Sequence, residues 1–209
     1  MRIFWLVLCI VGWGIVHSWL ASLSAKDLFR RWFGNGFMRL YRLGYNVFSF
    51  VSFLPILWLM VVLPNRALYQ VPAPWMYIML IGQILAALLL LVGVLQTDTL
   101  SFVGLRQLIE KDEKPASLVT RGLYRFVRHP LYSAGLLFLW LTPNMTINSL
   151  TVYLAATFYI LIGAYFEERK LLREFGEAYA AYRRNTPMLI PGLIFKSKRR
   201  DTLPSVEHS

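Results

Sequence analysis

Apolar residues run together in long blocks along this chain, without the alternation of a strand or the narrow stripe of a soluble surface helix. The first block extends from Ile3 to Leu23, the second from about Leu43 to Leu63, and the third from Met76 to Leu95. Two more form a pair, Leu131 to Leu141 and Ile147 to Phe166, with Thr142-Pro143-Asn144 opening the turn between them. About 20 apolar residues rising 1.5 Å each match a hydrocarbon layer about 30 Å thick. Lipid offers the backbone no partner, so such blocks close their hydrogen bonds internally as helices. The pattern predicts an all-α integral membrane protein with about five transmembrane helices, the last two forming a helical hairpin. Beyond Phe166 the period changes. Leu171, Phe175, Ala178 and Tyr182 share one face with charges elsewhere, which predicts a C-terminal amphipathic helix over 167–184 lying against the membrane or the bundle. It should stop before Thr186-Pro187, because a residue preceding proline disfavours the helical conformation. Met188 to Phe195 is too short to span and is expected to pack back onto the membrane surface. Residues 1–195 therefore read as a single membrane domain, and 196–209 as a flexible tail.

Composition agrees with this picture. Of 209 residues, 57% are hydrophobic and the mean hydropathy is +0.51, too apolar for a soluble domain whose own shell must face water. The single cysteine, Cys9, sits inside an apolar block, which excludes a disulfide scaffold. The net charge of +11 suggests nucleic acid until the positions are counted. With five spans, 20 of the 22 Lys and Arg residues fall on one side, and only Arg2 and Arg66 fall on the other. That asymmetry is a topology signal, placing the N-terminus outside and the C-terminus in the cytoplasm. The basic surface then meets anionic lipid headgroups, and nucleic acid is not expected as a partner. The first block is read as a span rather than a cleaved leader, because it is long and carries Trp5, Trp13 and Trp19.

Ionisable groups beside apolar spans carry the chemical information. One cluster lies in Gly122-Leu123-Tyr124-Arg125-Phe126-Val127-Arg128-His129-Pro130-Leu131-Tyr132. Pro130 suits the first position of a helix, so Arg128 and His129 fall at its N-terminal mouth, where free N–H groups and the helix dipole favour an anion. The plain alternative is a basic interfacial anchor. The second cluster is Glu167-Glu168, at the end of the last span. Two carboxylates there need cations, either Arg169, Lys170 or Arg173 on the same helix, or a cationic ligand. The fourth block is only about 17 Å long as a helix and the fifth crosses fully, so His129 is expected to lie deeper than Glu167 and leave a polar recess. An anion site, a carboxylate pair and aromatic walls (Tyr124, Tyr132, Tyr165) suit an amphoteric ligand such as S-adenosylmethionine; a lipid headgroup or haem also fits a recess. His17 stands within the first span, either hydrogen-bonded to a neighbouring helix or acting on the substrate side.

The stretch Gly122 through Gly135, centred on Arg128-His129-Pro130-Leu131-Tyr132, resembles the isoprenylcysteine carboxyl methyltransferase-like superfamily. So does the following Glu167-Glu168-Arg169-Lys170-Leu171, with Phe175-Gly176, Tyr179, Tyr182 and Pro187. The resemblance covers roughly 117–191. His17-Ser18, Lys26 and Tyr41-Arg42-Leu43-Gly44-Tyr45-Asn46 look like narrower relatives, which include membrane thiol methyltransferases and NnrU-like proteins linked to nitric-oxide metabolism. The resemblance implies a membrane methyltransferase using S-adenosyl-L-methionine in a cytoplasm-facing pocket, acting on a lipophilic or small-molecule thiol or carboxylate. It carries over Arg128, His129, Tyr132, Glu167 and Glu168 as cofactor contacts, with Tyr124 and Gly135 beside them. In this reading the carboxylates hold the cationic end of the cofactor and Arg128 holds its carboxylate. His129 is the best-placed group if a base is needed, and His17 belongs to the substrate side. No protein partner is evident. The alternative is a non-catalytic NnrU-like membrane protein that binds a lipid or a haem-related ligand.

Overall fold

The computed structural model describes residues 2–96, 103–106 and 117–192. The expected tail 196–209, the end of the Met188–Phe195 run, and Lys111 and Lys114 of the basic loop lie outside the described residues. Five α-helices are described: α1 (Arg2–Ala21), α2 (Leu23–Val62), α3 (Trp75–Gln96), α4 (Pro130–Trp140) and α5 (Ile147–Asn185). A 3-10 turn, Gly122–Arg125, precedes α4, and two short strands, β1 (Ala67–Gln70) and β2 (Asn144–Thr146), complete the list. All the helices except α4 are long and apolar enough to cross a membrane, and α4 is apolar but short. Large apolar side chains such as Ile15, Phe50, Trp58, Val61, Ile84 and Leu95 face outward with no protein cover. Contiguous exposed apolar surface on this scale needs lipid as its solvent. The protein is an all-α, multi-pass integral membrane protein.

Three helices meet where Leu6 of α1, Ile56 of α2 and Val152 of α5 bury one another. Trp13 Nε1 donates to Ser52 Oγ at 3.0 Å and ties α1 to α2. Helices α3 and α4 approach closely at glycines: a Cβ on Gly82 would stand 2.6 Å from Leu141, and one on Gly93 would stand 2.8 Å from Leu131. Trp140 Nε1 donates to Thr157 Oγ1 at 3.0 Å and links α4 to α5.

The structure adds detail at four places. The first span ends at Ala21 rather than Leu23, because Ser22 turns extended and caps α2, its Oγ accepting the Ala25 N–H. The basic stretch from Lys26 to Arg42, between the first two apolar blocks, is helical and belongs to α2, whose two segments meet at Gly34 (φ 75°). The rings mark the break: Phe29 stacks on Phe33, four residues on, and also reaches Phe37 and Tyr41, eight and twelve residues on, because the chain turns at Gly34. The last span runs on past Phe166 without interruption, and α5 consists of two helical segments that meet at Gly176 (φ 53°). Gly176 is where the chain needs a conformation that a residue with a Cβ rarely adopts. Finally, β1 and β2 form an antiparallel ribbon with Ala67 opposite Thr146 and Gln70 opposite Asn144. Arg66 O accepts the Ile147 N–H, and buried Asn148 Nδ2 donates to Met60 O and Leu63 O. The ribbon holds the 63–74 connection and the α4–α5 turn at the same end of the bundle.

Candidate functional site

The site is built at the opposite end, starting from the 3-10 turn. Gln96 Oε1, at the end of α3, accepts the Leu123 N–H at 3.0 Å and seats the turn. Tyr182 Oη donates to Tyr124 O at 2.5 Å and draws the last turns of α5 against it. His129 is the N-cap residue of α4, and Pro130 begins the helix. The expected open anion mouth is closed by the chain itself. Pro187 O accepts the Arg128 N–H at 2.9 Å, Met188 O accepts the His129 N–H at 3.1 Å, and Ser133 Oγ donates to Leu189 O at 2.6 Å. Residues 187–189 thus return to the α4 mouth.

Arg128 and Glu168 neutralise one another. Arg128 Nε donates to Glu168 Oε1 at 2.7 Å, and the Arg128 Nη2 stands 2.6 Å from the same oxygen. Arg128 Nη1 donates to Arg183 O and Thr186 O. Both side chains are 9% exposed. The sequence left the carboxylate pair to Arg169, Lys170 or Arg173, or to a ligand. In the structure Glu168 meets Arg128 from another element, with Arg183 at 3.5 Å. Burial pushes the Glu168 carboxyl upward, but the neighbouring His129 and the hydrogen-bonded Arg128 guanidinium outweigh it and hold the group below its ordinary value.

Glu167 is different. Its side chain is 45% exposed, its Oε2 accepts from Tyr132 Oη at 2.9 Å, and His129 Nδ1 lies 3.7 Å away. The His129 ring stacks on Tyr132, with centroids 5.3 Å apart. Its buried Nε2 lies 3.4 Å from Glu168 Oε1 but makes no well-formed hydrogen bond. His129 and Glu167 therefore stand at one level, which corrects the expected depth difference. The reason is geometric. Helix α4 is about 15 Å shorter than α5 up to Glu167, ten residues at 1.5 Å each, and about five of the residues 141–146 between them, at roughly 3.3 Å each when extended, make up that length.

These groups open onto a cleft of about 920 Å³, within the size range of a small-molecule site. Tyr124, Arg128, His129, Tyr132 and Glu167 line it, all read from the sequence. Glu168 and Gly135 do not; a Cβ on Gly135 would touch nothing. Lys170, Tyr179 and Tyr182 of α5 add to this wall, and Tyr179 Oη is buried without a partner. The rest of the lining comes from the other half of the chain, with His17 of α1, Tyr41, Arg42 and Tyr45 of α2, and Leu90 and Val94 of α3. His17 Nε2 lies 2.7 Å from Tyr45 Oη. Reading the sequence missed Tyr159, which packs beside His17, and the carbonyls of 186–189. Tyr159 left a faint signal as a polar group inside an apolar span. The carbonyls left none, since every residue carries one.

Fold and site together define a multi-pass membrane protein whose N-terminal and C-terminal helices enclose one polar, aromatic-walled cleft. The chain belongs to the DUF1295 family, described as a protein of unknown function, and the match covers residues 5–186. It is 34% identical over 186 residues to methanethiol S-methyltransferase 2 of Bradyrhizobium diazoefficiens, covering 86% of this chain and 71% of that protein. It is 37% identical over 134 residues to the methanethiol S-methyltransferase of Crocosphaera subtropica, covering 59% and 52%. Over 109 residues it is 39% identical to the Pseudomonas deceptionensis enzyme of the same name, covering 50% and 42%. The matches to these last two span about half the length of each relative. No solved structure matches the chain.

Proposed function

We propose that this protein is an S-adenosylmethionine-dependent membrane methyltransferase whose acceptor is a small lipophilic thiol, reached from the cytoplasmic side. One observation carries the reading: the Glu167–His129–Tyr132 group and the His17–Tyr45 pair, from the two halves of the chain, line one cleft, in a chain whose relatives are named methanethiol S-methyltransferases. The charge asymmetry supports an N-terminus outside and a C-terminus in the cytoplasm, because the cleft end gathers Lys26, Arg42, Arg128 and Lys170 while the ribbon end holds Arg66.

The donor set fits an amphoteric cofactor. Glu167 offers a half-exposed carboxylate to a cationic centre, Lys170 offers a cation to a carboxylate, and Tyr124, Tyr132 and Phe175 offer faces to an aromatic base. His129 Nε2 and Tyr179 Oη are polar atoms that the protein leaves unsatisfied. When bound, the cofactor supplies a methyl group made electrophilic by a sulfonium. The residues here do the aligning, which is most of what an in-line displacement needs. Tyr132 and His129 orient Glu167. Arg128, at the cleft surface, and Glu168, behind it, lock the start of α4 to α5 and to 183–186. His129 is a positioning residue in this reading. The NnrU-like alternative gains no specific support, since His17 already stands against Tyr45 and the His129 ring stacks on Tyr132 beside the Glu167 and Glu168 carboxylates.

Isothermal titration of the detergent-purified protein with S-adenosylhomocysteine tests the proposal. Saturable binding is expected, and no heat at millimolar ligand with folded protein would refute it.

A further inference from the structure

Resting on that reading, the geometry points to the Tyr45–His17 pair as the acceptor subsite, with Tyr45 receiving the thiol proton and His17 taking the proton that Tyr45 gives up. Tyr45 Oη lies 2.7 Å from His17 Nε2 and 3.4 Å from Nδ1, and both residues line the cleft. Two other phenols stand close by, and both are committed elsewhere. Tyr41 Oη donates to Leu20 O at 2.7 Å, and Tyr159 Oη is hydrogen-bonded to Ser18 Oγ at 2.9 Å. Among the described tyrosines here, only Tyr45 has its hydroxyl aimed at a proton acceptor. Trp13 stacks on the His17 ring with centroids 4.5 Å apart, and Tyr159 lies 6.0 Å from it, so the ring is held in place.

The surroundings select the ligand. Tyr159 lies eight residues before Glu167 on α5, about 12 Å nearer the membrane centre along the helix. The pair therefore sits inside the spans, with Leu20, Ala21, Leu90 and Val94 on the walls. The titratable and charged groups of α2 that line the cleft with the pair are Tyr41, Lys26 and Arg42, Tyr159 of α5 packs beside His17, and α3 contributes the apolar liners Leu90 and Val94. Among the described liners the one carboxylate is Glu167. A small uncharged thiol suits this pocket. Such a thiol is mostly protonated at neutral pH, and only its thiolate is a strong nucleophile. The step balances. The S–H bond breaks as its proton moves to Tyr45 Oη, and the Tyr45 proton moves to His17 Nε2. The freed sulfur pair forms the new C–S bond, and the pair of the breaking methyl–sulfonium bond stays on the donor sulfur, leaving a thioether. The imidazolium then returns its proton to cleft water.

The test uses full-length protein in nanodiscs with ¹⁵N-labelled histidine and ethanethiol as the probe. Ethanethiol should shift the His17 signal saturably without any methyl donor, and cysteamine, whose ammonium would meet Lys26 and Arg42, should not. A protein that binds S-adenosylhomocysteine yet shows no His17 response overturns the subsite. If instead the His17 response is present and S-adenosylhomocysteine does not bind, the methyltransferase reading fails and the thiol site stands. Tyr45→Phe should keep S-adenosylhomocysteine affinity within about twofold and lower methyl transfer to ethanethiol by about 10²–10⁴. Its loss on thiophenol, which is ionised at neutral pH, should be below tenfold. Equal losses on both thiols would make Tyr45 merely structural and overturn the relay. Where Tyr45→Phe does not fold, the wild-type His17 signal decides alone.

Discussion

Glu168→Gln keeps the shape of the side chain and removes its charge, leaving Arg128 buried beside a neutral amide. The structure sets the scale. Glu168 Oε1 meets Arg128 Nε and Nη2 at 2.7 and 2.6 Å, and both side chains are 9% exposed. Breaking one half of a buried ion pair costs about 3–5 kcal/mol, because the partner charge stays behind. The amide still offers one acceptor oxygen and Arg128 keeps two carbonyls, so about 3 kcal/mol is expected, the lower end of that range. Arg183, 49% exposed at 3.5 Å, adds little. Equilibrium unfolding in mixed micelles reads this directly. Arg128→Met with Glu168→Met removes both charges, and the double-mutant cycle should show a coupling of at least about 1.5 kcal/mol. The pH dependence follows from the depressed carboxyl. A group whose folded value lies below its unfolded value of 4.5 stabilises the protein above that value and loses the effect as pH falls through the folded one. Wild type should therefore lose stability below pH 4.5 more steeply than Glu168→Gln. A Glu168→Gln cost under about 0.5 kcal/mol, with coupling near zero, would refute the clamp.

Glu167→Gln should leave the fold intact and weaken S-adenosylhomocysteine binding about tenfold, the low end for a charge-assisted bond because the group is half exposed; unchanged affinity in titration would remove Glu167 from the cofactor wall. Reporter fusions after Arg42 and Arg184 should both read cytoplasmic and one at Arg66 should not, and a cytoplasmic signal at Arg66 would overturn the orientation. Gly122→Ala should destabilise by about 1–3 kcal/mol in unfolding assays, since Gly122 has φ 62° and a Cβ there would run into the Gln96 amide that seats the turn; a wild-type midpoint would show that the turn is not held as described.

The apolar blocks by themselves determined the class, the α3 span, the α4–α5 hairpin and the lipid-facing surface, because twenty apolar residues in lipid have one way to satisfy their backbone. They also marked Arg128, His129, Tyr132, Glu167 and the odd His17, since an ionisable group in or beside a span is costly enough to stand out. What the blocks could not decide was which charge meets which. Glu167 and Glu168 are neighbours in sequence, yet one faces the cleft and the other turns into the bundle, because successive residues on a helix point about 100° apart. The tertiary structure assigned Glu168 to Arg128, brought 187–189 back over the α4 mouth, and lifted His129 level with Glu167 through a ribbon too short to show as a period. It also set Tyr45 of α2 against His17 of α1 across a helix contact, where only packing, and no spacing along the chain, fixes the distance between two side chains.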